Sequence, residues 1–324
     1  MNVLVTDHSF PDLSIEERVL AELGAGLTLA ETGVESELIE LAPDADAILT
    51  NWRPVTAAVL DAAVNCRTVA RYGVGVDNID VAHATELGIL VSNAPGFCTD
   101  EVADHTIMLL LALVRKLVPL TSDVRAGGWD NRAGGLPWRL RGKTLGLVGL
   151  GAIGEAVAHR ARALGLDVVA YRRSAAEGPE GVRVVTALPE LLATADIVSL
   201  HLPLTTRTRG LIGRAELAMM KDQAILLNTA RGALVDTEAL LEALDGGRLG
   251  GAGLDVTDPE PPPAGHRLRE HPGILLTPHA AFYSAGSVAE VSARASGHVA
   301  QVLRGEVPTH LVNPQVLDSP RLRL

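Results

Sequence analysis

Three glycines at fixed spacing constrain this chain more than any other feature: Gly149, Gly151 and Gly154, in the run Gly149-Leu150-Gly151-Ala152-Ile153-Gly154. They follow an apolar, strand-like run, Thr144-Leu145-Gly146-Leu147-Val148, and open an amphipathic helical segment that reaches Leu164. A second strand-like run, Asp167-Val168-Val169-Ala170-Tyr171, comes next. A strand, a glycine turn, a helix and a strand in that order form a βαβ unit of the kind that takes a dinucleotide. Gly149 permits the tight turn, Gly151 lets a pyrophosphate approach the backbone, and Gly154 lets helix and strand pack closely. The helix N-terminus would offer N–H groups and a partial positive charge to the phosphates. Outside that context the same glycines would make an ordinary turn. The unit sits mid-chain, so something substantial must precede it.

What precedes it alternates in the same way. Strand-like runs fall at 3–6, 47–50, 68–71 and 89–92, with helix-like stretches between them such as 14–23. Near Thr99 the pattern becomes one long helix: Thr99 suits the N-cap, Asp100 and Glu101 the positive end of the dipole, and Arg115 and Lys116 the far end. A loop rich in Gly, Trp and Arg, 127–141, leads to the glycine turn. Strands are then expected at 145–148, 168–171, 197–200, 224–227, 253–256 and 274–277, and a last helix at 285–303. The expected fold is α/β, two Rossmann-like or flavodoxin-like parallel-sheet lobes with a cleft between them.

Bulk properties agree and exclude some classes. A chain of 324 residues, 47% hydrophobic and 21% charged, has material for two domains. A net charge of −11 argues against nucleic acid and anionic membranes as partners. Cys66 and Cys98 form no CxxC pair and read as reduced thiols, the start of the chain has no signal-peptide pattern, and the apolar run 107–114 is too short to span a bilayer. A cytoplasmic protein is expected. His266 and His271 lack metal-ligand spacing, so no metal is expected.

Three ionisable residues follow late strands of the second sheet. Arg231 lies in Asn228-Thr229-Ala230-Arg231-Gly232, Glu260 in Asp255-Val256-Thr257-Asp258-Pro259-Glu260, and His279 in Leu276-Thr277-Pro278-His279-Ala280-Ala281. Taken singly they also read as a surface ion-pair partner, a solvated carboxylate and a capping histidine. Together, at the carboxyl edge of parallel strands, they suit hydride transfer at a carbon that bears oxygen beside a carboxylate. Arg231 would clamp the carboxylate with its planar fork. His279 would give or take the proton, and Glu260 would orient the ring and stabilise the imidazolium.

The chain resembles, essentially end to end, the D-isomer-specific 2-hydroxyacid dehydrogenase superfamily. The resemblance is carried by Arg71-Tyr72-Gly73-Val74-Gly75-Val76-Asp77-Asn78-Ile79-Asp80, the glycine turn, His201-Leu202-Pro203-Leu204-Thr205, Asn228 to Gly232, Leu254-Asp255-Val256 and Thr277-Pro278-His279. Pro278 to Ser284, Asp100 to Asp104, the run Gly305-Glu306-Val307-Pro308 and Asn313 are similar to the branch that contains the C-terminal-binding proteins. The resemblance implies that Arg231, Glu260 and His279 are the catalytic set and that the backbone of Val74 and Gly75 helps hold the substrate carboxylate. It places Phe282 near the substrate, and Ala152, Ile153, His201, Pro203, Thr229, Ala230 and Asp255 against the dinucleotide. His105 falls where the family approaches the nicotinamide, or is a half-buried polar residue of its helix. The resemblance also implies a homodimer built with the helix near 100–118. It makes the first lobe discontinuous, with residues 1–98 plus 286–324 forming a substrate domain and 99–285 a dinucleotide-binding domain.

One departure concerns the cofactor. Where the family usually has an acidic residue after the second strand of this domain, this chain has Arg172-Arg173-Ser174. A carboxylate there would repel a 2′-phosphate, whereas arginines and a hydroxyl bind one, so NADP(H) is expected over NAD(H), with solvated arginines and use of either cofactor as the other reading. Arg53, in Asn51-Trp52-Arg53-Pro54, is a candidate for a second anionic group on the substrate or a surface residue. The leading expectation is an NAD(P)-dependent dehydrogenase or reductase of a small D-2-hydroxy acid or 2-oxo acid. The alternatives are a dinucleotide-sensing interaction scaffold and, behind both, a formate- or phosphite-type oxidase.

Overall fold

The computed structural model describes residues 1–174 and 177–324. By contacts the chain divides into two compact units, Met1–Cys98 with Tyr283–Leu324, and Thr99–Phe282. The second division falls three residues before the expected 285/286 boundary.

The first unit holds five parallel strands, β1 (Asn2–Val5), β2 (Gly26–Leu29), β3 (Ala47–Thr50), β4 (Thr68–Arg71) and β5 (Leu90–Ser92), in the order β2-β1-β3-β4-β5. That is the flavodoxin-like winding. Leu4, Ile48, Val69 and Val91 bury one face of the sheet against Leu38, Val59, Leu60 and Ala84. The helix Ala285–Leu303, started by the Ser284 hydroxyl accepting from Ser287 N–H, packs on β3, β4 and the helix Ser14–Ala21. The segment after it is clasped to β5. Asn313 Oδ1 accepts from Val91 N–H at 2.8 Å, while its amide donates to the Ile89 carbonyl and the Thr85 hydroxyl. Sequence reading missed β2, a short edge strand whose Gly-Leu-Thr-Leu is half exposed and lacks the apolar run of its neighbours.

Among its described residues the second unit holds seven parallel strands: β6 (Thr144–Val148), β7 (Asp167–Tyr171), β8 (Val182–Val185), β9 (Ile197–Leu200), β10 (Ala224–Asn228), β11 (Leu249–Leu254) and β12 (Ile274–Leu276). Their order is β12-β11-β10-β9-β6-β7-β8, a doubly wound Rossmann sheet. Both faces are covered, so its strands are nearly continuous apolar runs. Ile225 and Leu227 join Leu109, Leu145 and Val157 in one core, and Leu226, one residue out of phase, joins Leu191 and Leu240 in another.

Three sequence expectations are corrected here. β8 was missed. β11 begins earlier and ends two residues sooner than the run 253–256, because its Leu-Gly-Gly-Ala-Gly-Leu composition disguises a strand. Its glycine content has a steric reason: a Cβ on Gly253 would lie 2.9 Å from Leu227 Cδ2 and 3.1 Å from Leu109 Cβ. The helix Thr99–Val114 therefore packs directly on β11. It buries Val102, Ala103, Thr106, Leu109, Leu110 and Val114 along one stripe. Each large apolar side chain so buried contributes about 1.5–3 kcal/mol. Lastly, the helix stops at Val114, where Lys116 turns left-handed (φ 59°), and a separate helix, Leu117–Arg125, follows. Among the described residues no helix is long and apolar enough to cross a membrane.

Candidate active site

Because all strands of the second unit are parallel, their carboxyl ends share one edge, and the winding reverses between the neighbours β6 and β9. Ligands of such sheets bind at that reversal. The glycine turn lies there. Gly149 has φ +104°, and a Cβ on it would lie 2.4 Å from the His201 carbonyl oxygen, on the loop after β9. A Cβ on Gly154 would lie 2.7 Å from the Gly149 carbonyl oxygen. Gly151 caps the helix Ala152–Ala163 and has no atom within 4 Å of its Cβ position. The turn is thus closed toward the protein at Gly149 and Gly154 and open at Gly151, beside the first N–H groups of a helix at Ala152 and Ile153. That fits a pyrophosphate.

The other dinucleotide candidates lie on the same edge. Gly149 N–H donates to the Tyr171 carbonyl at 3.2 Å, so Arg172, Arg173 and Ser174 start beside the glycine turn, with Arg173 and Ser174 exposed. His201 and Pro203 lie on the loop after β9. Burial pushes the His201 imidazole down to about 4, so it is neutral near pH 7, with Nε2 2.9 Å from the Ser199 hydroxyl. Thr229 and Ala230 follow β10, and the Thr229 hydroxyl is 2.9 Å from that of Thr106.

Arg231, Glu260 and His279 follow β10, β11 and β12, three neighbouring strands. His279 Nδ1 lies 2.5 Å from Glu260 Oε1. A carboxylate only accepts, so the imidazole carries its proton on Nδ1 toward Glu260. Glu260 is itself held, for Thr257 N–H donates to its other oxygen at 3.3 Å. The Arg231 loop touches this one closely. A Cβ on Gly232 would fall 2.0 Å from the Thr257 carbonyl carbon, and the Asn228 amide donates to the Arg231 carbonyl at 2.9 Å. Phe282 stands edge-on to the His279 ring, centroids 6.2 Å apart.

Sequence reasoning did not foresee what holds His279. Its backbone is left-handed (φ 52°), and the following amides, Ala280 N–H and Ala281 N–H, donate to the two oxygens of Asp255 at 2.9 and 2.8 Å. Asp255, expected against the dinucleotide, is 1% exposed and serves as the anchor of this turn. No sequence signal separates the two roles, since both want a carboxylate at the end of β11.

In the first unit, Val74 and Gly75 follow β4 and Arg53 follows β3, at the carboxyl edge of that sheet. Val74 is exposed, and Arg53 lies over Gly33, whose Cβ would meet Arg53 Cγ at 2.8 Å. Asp7 accepts the N–H groups of Asn51, Trp52 and Arg53 and so fixes that loop. Among the described residues no group of three or more His, Cys, Asp or Glu side chains is placed to hold a metal ion.

Comparison with known proteins shows which family the chain is similar to. The family model described as D-isomer specific 2-hydroxyacid dehydrogenase, NAD binding domain, matches residues 107–281. A glyoxylate reductase of Thermofilum pendens is 41% identical over 87% of this chain and 85% of its own length. A D-3-phosphoglycerate dehydrogenase of Methanocaldococcus jannaschii is 39% identical over 99% of this chain, which spans only 61% of that protein. Among solved structures, the TT0316 protein of Thermus thermophilus is 42% identical with a TM-score of 0.88, over 96% of this chain and 100% of that one.

Proposed function

The chain belongs to the D-isomer specific 2-hydroxyacid dehydrogenase family, and we propose that it is an NAD(P)-dependent oxidoreductase of a small D-2-hydroxy acid or 2-oxo acid. The observation that carries this reading is the 2.5 Å Glu260–His279 pair, on the same sheet edge as the Arg231 loop and the glycine turn. The nicotinamide, when bound, supplies or accepts the hydride. Arg231 binds the substrate carboxylate and polarises the neighbouring carbonyl. His279 Nε2 gives a proton to the substrate oxygen in reduction and takes it back in oxidation, while Glu260 keeps the ring oriented and offsets its charge. The amides of Val74 and Gly75 are further donors to the carboxylate in this reading, through the family resemblance. Phe282, beside the His279 ring, bounds the substrate side chain.

Within this reading the cofactor is NADP(H) in preference to NAD(H), supported by Arg172, Arg173 and Ser174 where a ribose-binding carboxylate would stand. The enzyme is a homodimer, because the helix Leu117–Arg125 buries none of its residues in its own chain, and Met108, Leu117, Val118, Val124, Trp129 and Leu136 are exposed. Its location is cytoplasmic, in keeping with Cys66 and Cys98, which form no disulfide. The scaffold alternative is not favoured, since the relatives above are named as enzymes, and they lend no support to the C-terminal-binding-protein branch.

The test is oxidation of NADPH and NADH, followed by absorbance, with glyoxylate, hydroxypyruvate and bulkier 2-oxo acids. Turnover that disappears in His279→Ala and Arg231→Ala is expected. Glu260→Gln, which keeps an acceptor and loses the charge, should cost on the order of 10²-fold or more in kcat. Tight cofactor binding with no turnover of any oxo acid would overturn the enzyme reading, and a clear NADH preference would overturn the cofactor reading. Sedimentation of a monomer at micromolar concentration would overturn the dimer.

A further inference from the structure

Asp255 receives a third donor besides the amides of the His279 turn: the Thr277 hydroxyl, 2.5 Å from Oδ1. A hydroxyl has one proton, and here it goes to the carboxylate. Toward His105, whose Nε2 lies 2.9 Å from Thr277 Oγ1, the same oxygen can therefore only accept. His105 must then carry its proton on Nε2. Its ring stands 3.5 Å from Asp255 Oδ1, and its side chain is 14% exposed. Accepting from His105 polarises the Thr277 O–H and strengthens its donation to Asp255. The hydroxyl has a competing acceptor in the Leu254 carbonyl, at 3.4 Å.

We propose that His105 is a positioning residue for His279. The chain of bonds runs from His105 through Thr277 to Asp255, and from Asp255 to the two amides that follow His279. Successive amides converging on one carboxylate form a nest, and the left-handed φ at His279 is the backbone setting that aims them at it. A non-glycine residue held in that region persists only where its surroundings over-determine it. His105 supplies part of that constraint from a separate element, the helix Thr99–Val114, so the turn is tied to more than its own strand. The inference rests on the reading of His279 as the proton carrier.

The two amide side chains discriminate the nitrogen atoms. The amide nitrogen of glutamine reaches the place of Nε2, whereas that of asparagine reaches only the place of Nδ1. In the full-length protein with glyoxylate and NADPH, His105→Asn and Thr277→Val should each lower kcat about tenfold, as expected for a misaimed reacting group. KM for glyoxylate and the NADPH Kd from fluorescence titration should stay within about twofold, because the perturbed group acts on proton transfer rather than on binding. His105→Gln should restore most of the rate, and the double variant His105→Asn/Thr277→Val should be no slower than either single one. A wild-type kcat in His105→Asn overturns the proposal. So does a loss shared by the Gln and Asn variants together with weakened NADPH binding, which would make the ring a direct cofactor contact. His279→Ala separates the two levels: if it retains activity the functional reading itself fails, whereas an inactive His279→Ala beside a fully active His105→Asn sinks only this inference.

Discussion

Replacing Gly232 by alanine probes how closely the Arg231 and Glu260 loops must approach. The added Cβ would sit 2.0 Å from the Thr257 carbonyl carbon and 2.1 Å from its oxygen, where ordinary contact begins at 3.4 Å. One backbone must therefore retreat by about 1.4 Å to reach normal contact distance. No rotamer change can relieve the overlap, because the obstructing atoms are main chain. The effect is purely steric, since φ at Gly232 lies outside the left-handed region. Retreat on one side moves Arg231. Retreat on the other moves the Thr257 N–H that holds Glu260 at 3.3 Å, and through Glu260 it moves the His279 ring. A displacement of about 1 Å at a reacting group costs on the order of 10²-fold in rate, or about 2.7 kcal/mol of barrier. Overpacking should also remove about 1–3 kcal/mol of stability. The assay is kcat for glyoxylate reduction at saturating NADPH, with thermal unfolding and NADPH affinity measured on the same preparation. We expect kcat to fall by about two orders of magnitude while the protein stays folded and binds NADPH. A Gly232→Ala variant with kcat within about threefold of the parent and an unchanged Tm would refute the reasoning.

Gly151→Ala should leave Tm unchanged, because nothing lies within 4 Å of the new Cβ, yet weaken NADPH binding at least about tenfold by filling the side open to the pyrophosphate; unchanged affinity in a titration would contradict this. His298 is 5% exposed, and burial, with His310 and Arg294 nearby, pushes its imidazole down to about 4. A histidine neutral when folded and basic near 6.5 when unfolded gives stability that is present above about pH 6.5 and lost as pH falls toward 4, worth about 1–2 kcal/mol once solvent screening is allowed for. His298→Leu should therefore flatten the decline of Tm between pH 6.5 and 4, and identical slopes would count against it. Gly297→Ala, in the interior of the helix Ala285–Leu303 with open space around its Cβ, should raise stability by about 0.5–1 kcal/mol, read as a higher urea midpoint at constant slope.

Much of this architecture was legible where local chemistry and tertiary demand agree. β3, β4 and the helix Ala285–Leu303 lie where their apolar runs put them. β11 was misread at its start because Gly250 and Gly251 answer to the main chain of Gln223 and Gly273, on segments to either side of the strand, rather than to strand propensity. The break at Lys116 was missed for a different reason: basic residues suit the end of a helix and also the turn between two. At the candidate site, Glu260 and His279 announced themselves by following parallel strands. The anchoring by Asp255 did not, since it depends on a left-handed turn folding two amides onto a carboxylate more than twenty residues away in sequence.

The interrupted course of the first unit has a consequence for biosynthesis. A ribosome delivers β1 to β5 well before the helix Ala285–Leu303 that covers β3 and β4, and before Asn313, which saturates the backbone beside β5. The continuous stretch 99–282 is complete earlier and can close its own sheet while the opening ninety-eight residues still wait for their cover. The nascent chain therefore matures from the middle outward, and its longest-lived sticky surface is the uncapped face of the strands made first.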